Sequence, residues 1–188
     1  MQAAEANSPA PAQASSPSWG SLVALPSPQS GPMPQPIEEA LAFARRQQDT
    51  LSQLADGLGY LAHLADQSQQ AETTDPDRLE LHRSFHQRFR TLNVLLDESV
   101  DAKPLFRRKD WTIDLEPPGN KLVLPGIYRS AEKALSLEQT DLLSPASARE
   151  THQRILEVLE WLAIDQALLT NIRTRLAFAG TVGRINTH

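Results

Sequence analysis

Apolar residues recur along the middle of the chain in alternating steps of three and four. One set is Leu51, Leu54, Leu58, Leu61 and Ala65; a second is His82, Phe85, Phe89, Leu92 and Leu96. That spacing places each set on one stripe of an α-helix. The two stripes predict a helical hairpin over Asp49–Phe106, with helices over about residues 37–69 and 75–100. A third stripe, Ile155, Leu159, Leu162, Leu169, Ile172 and Leu176, predicts a helix over about 145–179. Stripes this narrow need a partner helix, as in a coiled coil or a slim bundle.

The residues between the stripes set the ends of these elements. Pro36 suits a first helical position, and Ile37 and Ala44 extend the first stripe backwards. Gly57 and Gly59 interrupt it at about 1 kcal/mol each relative to alanine, and mark a bend or a close helix approach. The polar break Ala71–Thr74 is too short for anything but an antiparallel return. Thr74 or Asp75 caps the second helix, with Pro76 in its first turn and Asp77 against its positive end. Pro104 follows, then Leu105 and Phe106 as an apolar anchor. Trp111, Ile113 and Leu115 alternate with polar residues, and Leu122 and Leu124 alternate beyond Pro117-Pro118-Gly119-Asn120. This predicts a β-hairpin over about 111–124. A short helical piece is expected over Ser130–Leu137. Ser144-Pro145 opens the last long helix, Gly180 is its expected stop, and residues 181–188 are expected to fray.

Composition narrows this to a thin helical body. The 188 residues are 40% hydrophobic but only 5% aromatic, with eight glycines. Eight of the fourteen prolines lie in the first 36 residues, a stretch of Pro, Ala, Ser and Gln that buries too little apolar surface to offset its ordering entropy. Residues 1–36 are therefore expected to be a disordered tail, with Trp19, Leu22, Val23, Ala24 and Leu25 as an apolar island suited to docking. The fold class predicted is mainly α: an elongated antiparallel three-helix bundle or coiled coil over residues 37–180, with a small β-hairpin and a disordered N-terminal tail.

Charge and candidate chemistry then remove several function classes. A net charge of −5 argues against general nucleic-acid binding. The chain has no cysteine, which excludes disulfides and thiolate chemistry. No apolar run approaches the roughly 20 residues that span a bilayer, so no membrane insertion is expected, and Met1–Gln13 lacks the pattern of a secretory signal. His82 and His86 stand four apart on one helix, but a metal needs further ligands and leucines fill the stripe. Asp75 and Asp77 serve a helix start, and Arg173 and Arg175 sit late in the last helix, where cations complement its dipole. Arg107-Arg108-Lys109 is a short basic patch suited to a solvated loop or an acidic partner surface. There is no phosphate loop and no nucleophile motif. No catalytic residue, cofactor or metal is expected; the stripe residues are the candidates for packing, whether within the chain or between chains.

The order of these features resembles bacterial flagellin, specifically the helical core of the filament subunit. Leu58-Gly59-Tyr60-Leu61-Ala62-His63-Leu64-Ala65-Asp66-Gln67 is similar to the family's Leu-x-Arg-hydrophobic-x-Glu-Leu-Ala-x-Gln segment, with Tyr60 and His63 in place of its Arg and Glu. Asp77-Arg78 with Leu81, Phe85 and Leu92 resembles the second helix, and Val100–Phe106 is a weakened form of the Phe-Asn-Gly-x-x-Leu-Leu turn. Arg173 and Leu176 stand where the family has a late Arg-x-x-Leu. The resemblance covers about residues 37–180. In the place of the family's N-terminal filament helix stands the Pro/Ser/Ala tail. The resemblance implies a divergent or accessory flagellar component, close also to hook–filament junction proteins. It would be exported through the flagellar type III route, extracellular, and packed against like subunits or flagellin-type proteins, with an export chaperone as a further partner. In flagellins the Arg and Glu replaced here belong to the region that the innate-immune receptor reads. The alternative is a cytoplasmic helical interaction module, such as a secretion chaperone or adaptor.

Overall fold

The computed structural model describes residues 35–115 and 120–185. The proline-rich tail with its Trp19–Leu25 island lies outside the described residues, as do the Pro117-Pro118-Gly119 turn and the last three residues.

The first helix, α1 (Gln35–Gln69), returns through a short polar turn into α2 (Asp75–Leu96). Thr74 caps α2: its hydroxyl accepts from the Asp77 N–H at 3.4 Å, and the Asp77 carboxylate accepts from the Thr74 N–H at 3.2 Å. This reciprocal pairing satisfies donors that a helix start otherwise leaves open. The chain then forms two short antiparallel pairs, β1 (Ser99–Val100) with β2 (Lys103–Pro104) and β3 (Trp111–Leu115) with β4 (Asn120–Leu124). Trp111 stands opposite Leu124 and Ile113 opposite Leu122. The fold closes with α3 (Arg129–Leu135), a 3₁₀ turn over Ser136–Gln139, and the long α4 (Pro145–Ile185).

The fold is mainly helical, with small antiparallel strand pairs, and α1 organises it. It packs against α4 along its length, against α2, and through its early turns against β3. Serving several partners requires a buried face wider than the leucine stripe, and α1 also buries Ile37, Ala40, Leu41, Phe43, Ala44 and Leu64. α4 runs opposite to α1, with Leu142 just before it held by Ser68 and Arg173 beside Gln48.

Three boundaries differ from the sequence pattern. α2 stops at Leu96, not near residue 100, because Asp101 and Ala102 take positive φ (49° and 60°) and turn the chain into the β1–β2 pair. Alanine rarely adopts that conformation, and turns of this kind favour glycine there, so Asp-Ala is a weak turn signal. α4 continues past Gly180 to Ile185, and Gly180 is buried, so it is a helix-interior glycine and not a C-cap. The predicted piece at Ser130–Leu137 begins one residue earlier and changes to 3₁₀ geometry after Leu135.

The two glycines of α1 have different roles. A Cβ on Gly57 would stand 2.2 Å from Leu92 Cδ2, whereas one on Gly59 meets nothing within 4 Å. Gly57 marks the close approach of α2, and Gly59 is an exposed helix position. Gly59→Ala is expected to raise the unfolding free energy by about 1 kcal/mol. Gly57→Ala displaces the buried Leu92 side chain and is expected to lower it by about 1–2 kcal/mol despite the better helix propensity. Urea denaturation of the two variants checks this; equal shifts would contradict the close approach.

Candidate functional site

The stripe residues lie inside the chain. Leu51, Leu54, Leu58 and Leu61 of α1, Phe85, Phe89, Leu92 and Leu96 of α2, and Ile155, Leu162, Leu169, Ile172 and Leu176 of α4 are all buried in one hydrophobic cluster. Leu159 packs against that cluster but stays half-exposed, while Val158 beside it is buried. The stripes therefore join α1 to α2 and α4, and any contact with another molecule uses the other faces.

Several polar side chains inside this core escaped the stripe pattern. Asp165 of α4 is buried and accepts from the Ser130 N–H at 3.3 Å and hydroxyl at 2.6 Å, which holds the start of α3 against α4. The segment before α4 is gripped from three helices. Ser68 donates to the Leu142 carbonyl at 2.7 Å, Thr151 donates to the Asp141 carbonyl at 3.0 Å, and His82 Nδ1 accepts the Leu142 N–H at 3.4 Å. At the other end of α1, Glu98 accepts from Arg46 and from Thr50, and Gln47 donates to the Leu105 carbonyl. The only hint of these roles in the sequence is polar residues on otherwise apolar faces, which buried polar atoms explain once partnered.

The basic run is divided by its packing. Arg107 is half-buried with its guanidinium 5.2 Å from the centres of both the Phe43 and Trp111 rings, and those rings meet edge to face at 5.4 Å. Burial lowers the Arg107 pKa, with Asp110 opposing. Lys103 lies over the other part of this cluster, 4.4 Å from the Trp111 ring, so cation–π attraction fastens the β3–β4 hairpin to α1. Arg108 pairs with Glu132 while both stay exposed, so Arg108 and Lys109 match the solvated loop expected and Arg107 departs from it. Arg173 donates to Gln48 of α1; because α4 runs to Ile185, Arg173 and Arg175 are not in its last turn.

His82 and His86 pack edge to face with ring centres 4.5 Å apart. Among the described residues no group of three or more His, Cys, Asp or Glu side chains is placed to hold a metal ion. Burial, and secondarily the charge of His86, hold the His82 imidazole below its ordinary value, while Asp141 opposes. Its Nδ1 accepts a hydrogen bond, so the fold uses the neutral ring. The Ser147 hydroxyl and Leu143 N–H hold the Asp141 carboxyl below the usual carboxylate range, and Thr74 does the same for Asp77.

Both kinds of shift make the unfolded chain bind more protons on acidification. The His82 contribution is complete above about pH 6.5 and is lost below it; those of Asp77 and Asp141 last until the pH falls below about 4. The urea midpoint is expected to fall between pH 7.5 and 5, and to fall again below about 4. His82→Gln keeps an oxygen acceptor for the Leu142 N–H and should flatten the first decline; an unchanged slope would remove His82 as its source.

Among the described residues α4 exposes more large apolar side chains than α1 or α2. Leu156 (38% exposed), Ile164 (55%), Leu168 (36%) and Phe178 (69%) project away from the buried face, with Ala163 and Ala167 exposed among them. Two shallow depressions lie elsewhere: one at the α1–α2 turn lined by Gln67, Glu72, Thr73, Asp77 and Glu80, and one along α2 beside Tyr60 and Arg88. No described helix is long and apolar enough to cross a membrane.

No family model matches the chain, and no curated protein matches it. Among solved structures, it is similar to the crystal structure of Bacillus cereus flagellin, with a TM-score of 0.68 and 16% sequence identity, covering 81% of this chain and 88% of that one. At that identity the likeness is one of fold: the chain has a flagellin-like fold.

Proposed function

We propose that this protein is a structural, non-enzymatic component of the bacterial flagellum, a divergent flagellin-like subunit that packs against like subunits. The observation that carries this reading is the shared fold with a flagellin over most of both chains. In this reading α1, α2 and α4 act as one elongated antiparallel bundle. Leu51, Leu54, Leu58, Leu61, Phe85, Phe89, Leu92, Leu96, Ile155, Leu159, Leu162, Leu169, Ile172 and Leu176 stiffen each subunit from within, and neighbours meet on the outer helix faces. The protein is exported through the flagellar type III route and resides outside the cell. The fold likeness supports partners of the same kind; it gives no support to an export chaperone.

The test is fractionation of the source bacterium. The protein is expected in filaments sheared from the cell surface, and absent from them when flagellar export is disabled. Recovery solely from the cytosol, unaffected by loss of export, would overturn the reading.

A further inference from the structure

The segment from β2 to the start of β3 carries more positive charge than its packing uses. Lys103, Arg107, Arg108 and Lys109 put four cations into seven residues of a chain whose net charge is −5. Two of them converge on one ring. The Lys103 ammonium lies 4.4 Å from the centre of Trp111, and the Arg107 guanidinium carbon lies 5.2 Å from it. The two charges are therefore within about 10 Å of each other, close enough to repel. Among the described residues neither forms an ion pair, and Arg107 Nε is buried without a hydrogen-bond partner. The carboxylates of the surrounding elements are engaged elsewhere. Glu98 accepts from Arg46 and Thr50, and Glu132 from Arg108. Asp110 favours the Arg107 charge through its field, but its Oδ1 accepts the Gly126 N–H at 3.0 Å.

A half-buried guanidinium that has lost water without gaining an acceptor is costly, and an anion brought to it offsets that cost. We propose that Lys103 and Arg107 bind a carboxylate of an acidic peptide segment from a partner protein, beside Trp111. A carboxylate accepts two parallel N–H bonds from a guanidinium, and the Lys103 ammonium adds a second charge. A single phosphate ion would fit the same fork. Arg108 and Lys109, both exposed, extend the charge along the loop, so a run of acidic side chains meets more cations than one ion does. A uronate polymer gains less here. Sugars stack on open aromatic faces, and Trp111 is already covered by Lys103, Arg107 and Phe43. A nucleic acid would carry its charge past the patch and over the acidic remainder of the chain. A short acidic segment meets the patch alone, in a small contact governed by charge.

Fluorescence anisotropy of a labelled hexaglutamate peptide, titrated with the full chain, tests this. Saturable binding is expected at about 20 mM salt and should weaken at least tenfold by about 200 mM, as screening requires. Lys103→Gln should weaken binding about threefold to fivefold and leave the helical circular dichroism unchanged. Arg107→Lys keeps the charge but loses the fork, and should weaken binding by about tenfold. Glu132→Gln frees Arg108 and should tighten binding, an outcome that loss of folding cannot imitate. The chain has three tryptophans. Of their indole N–H resonances, the one missing from Trp111→Phe should move on addition of the peptide. Absence of saturable binding at low salt overturns the proposal. So does binding that leaves the Trp111 resonance still, or that is unchanged in both Lys103→Gln and Arg107→Lys. Displacement of the peptide by inorganic phosphate at matched ionic strength, or by polygalacturonate at matched charge, would overturn the peptide as occupant. None of these readouts depends on where the protein resides, so the flagellar reading stands or falls separately.

Discussion

Phe85→Ala is expected to lower the unfolding free energy by about 3–5 kcal/mol, the largest effect of any single truncation here. Phe85 is 0% exposed on the face of α2 that meets α1. Its ring stacks nearly parallel to Phe89, with centres 6.4 Å apart, and His86 covers an edge. α2 has few other large residues to compensate, since its buried apolar set is only Phe85, Phe89, Leu92 and Leu96. Removing the ring leaves a cavity between two helices that Gly57 and Leu92 already hold in close contact. Val94→Ala on the same helix, at a position 71% exposed, should change stability by no more than about 0.5 kcal/mol. Urea midpoints of the two variants decide the matter, and similar small shifts would mean that α2 is not docked through Phe85.

The second large effect is expected from Arg78→Met, at about 3 kcal/mol. The Arg78 side chain is 8% exposed. It donates through Nε to the Ser68 carbonyl and through Nη2 to the Gln70 carbonyl, both at 3.0 Å. The Ser68 carbonyl lies in the last turn of α1, where the helix itself leaves acceptors open, and Gln70 follows directly after it. The remaining contact, to Asp75 at 3.1 Å, involves a carboxylate 93% exposed, and water screens it. Asp75→Asn should therefore be nearly silent, whereas Arg78→Met takes the Nε donor from the carbonyl of buried Ser68, the Gln70 carbonyl keeping the Thr73 N–H at 3.3 Å. Arg78→Lys should recover little, because an ammonium lacks the planar fork that reaches two carbonyls. Thermal unfolding of the three variants separates these outcomes; a large loss in Asp75→Asn would mean that the ion pair, and not the cap, is what holds the turn.

The flagellin-like order of elements was legible without strong local motifs. Period and spacing set the helices whichever apolar residues fill the stripes, and the chain shares its fold with Bacillus cereus flagellin at 16% identity. Arg107 was misread for a related reason. A cation in a run of three looks solvated in the sequence, and the Phe43 and Trp111 rings that cover it come from α1 and β3.

What the sequence by itself determined is the number, period and order of the long helices. It also placed the Thr74 cap, the Ser144 start and the alternation of the 111–124 hairpin, because each depends on neighbours a few residues away. Tertiary structure decided the rest. It made α1 the shared partner of α2 and α4, since one stripe cannot tell how many neighbours its helix has. It extended α4 over Gly180, where packing outweighs the small propensity cost of glycine. It turned the chain at Asp101-Ala102 against local preference, with Glu98 tied to Arg46 and Thr50 of α1 on one side of that turn and the Leu105 carbonyl tied to Gln47 on the other. And within the stripe of α4 it buried Val158 and left Leu159 half-exposed, a choice that periodicity leaves open because the two positions flank the same face and only the seat of α1 separates them.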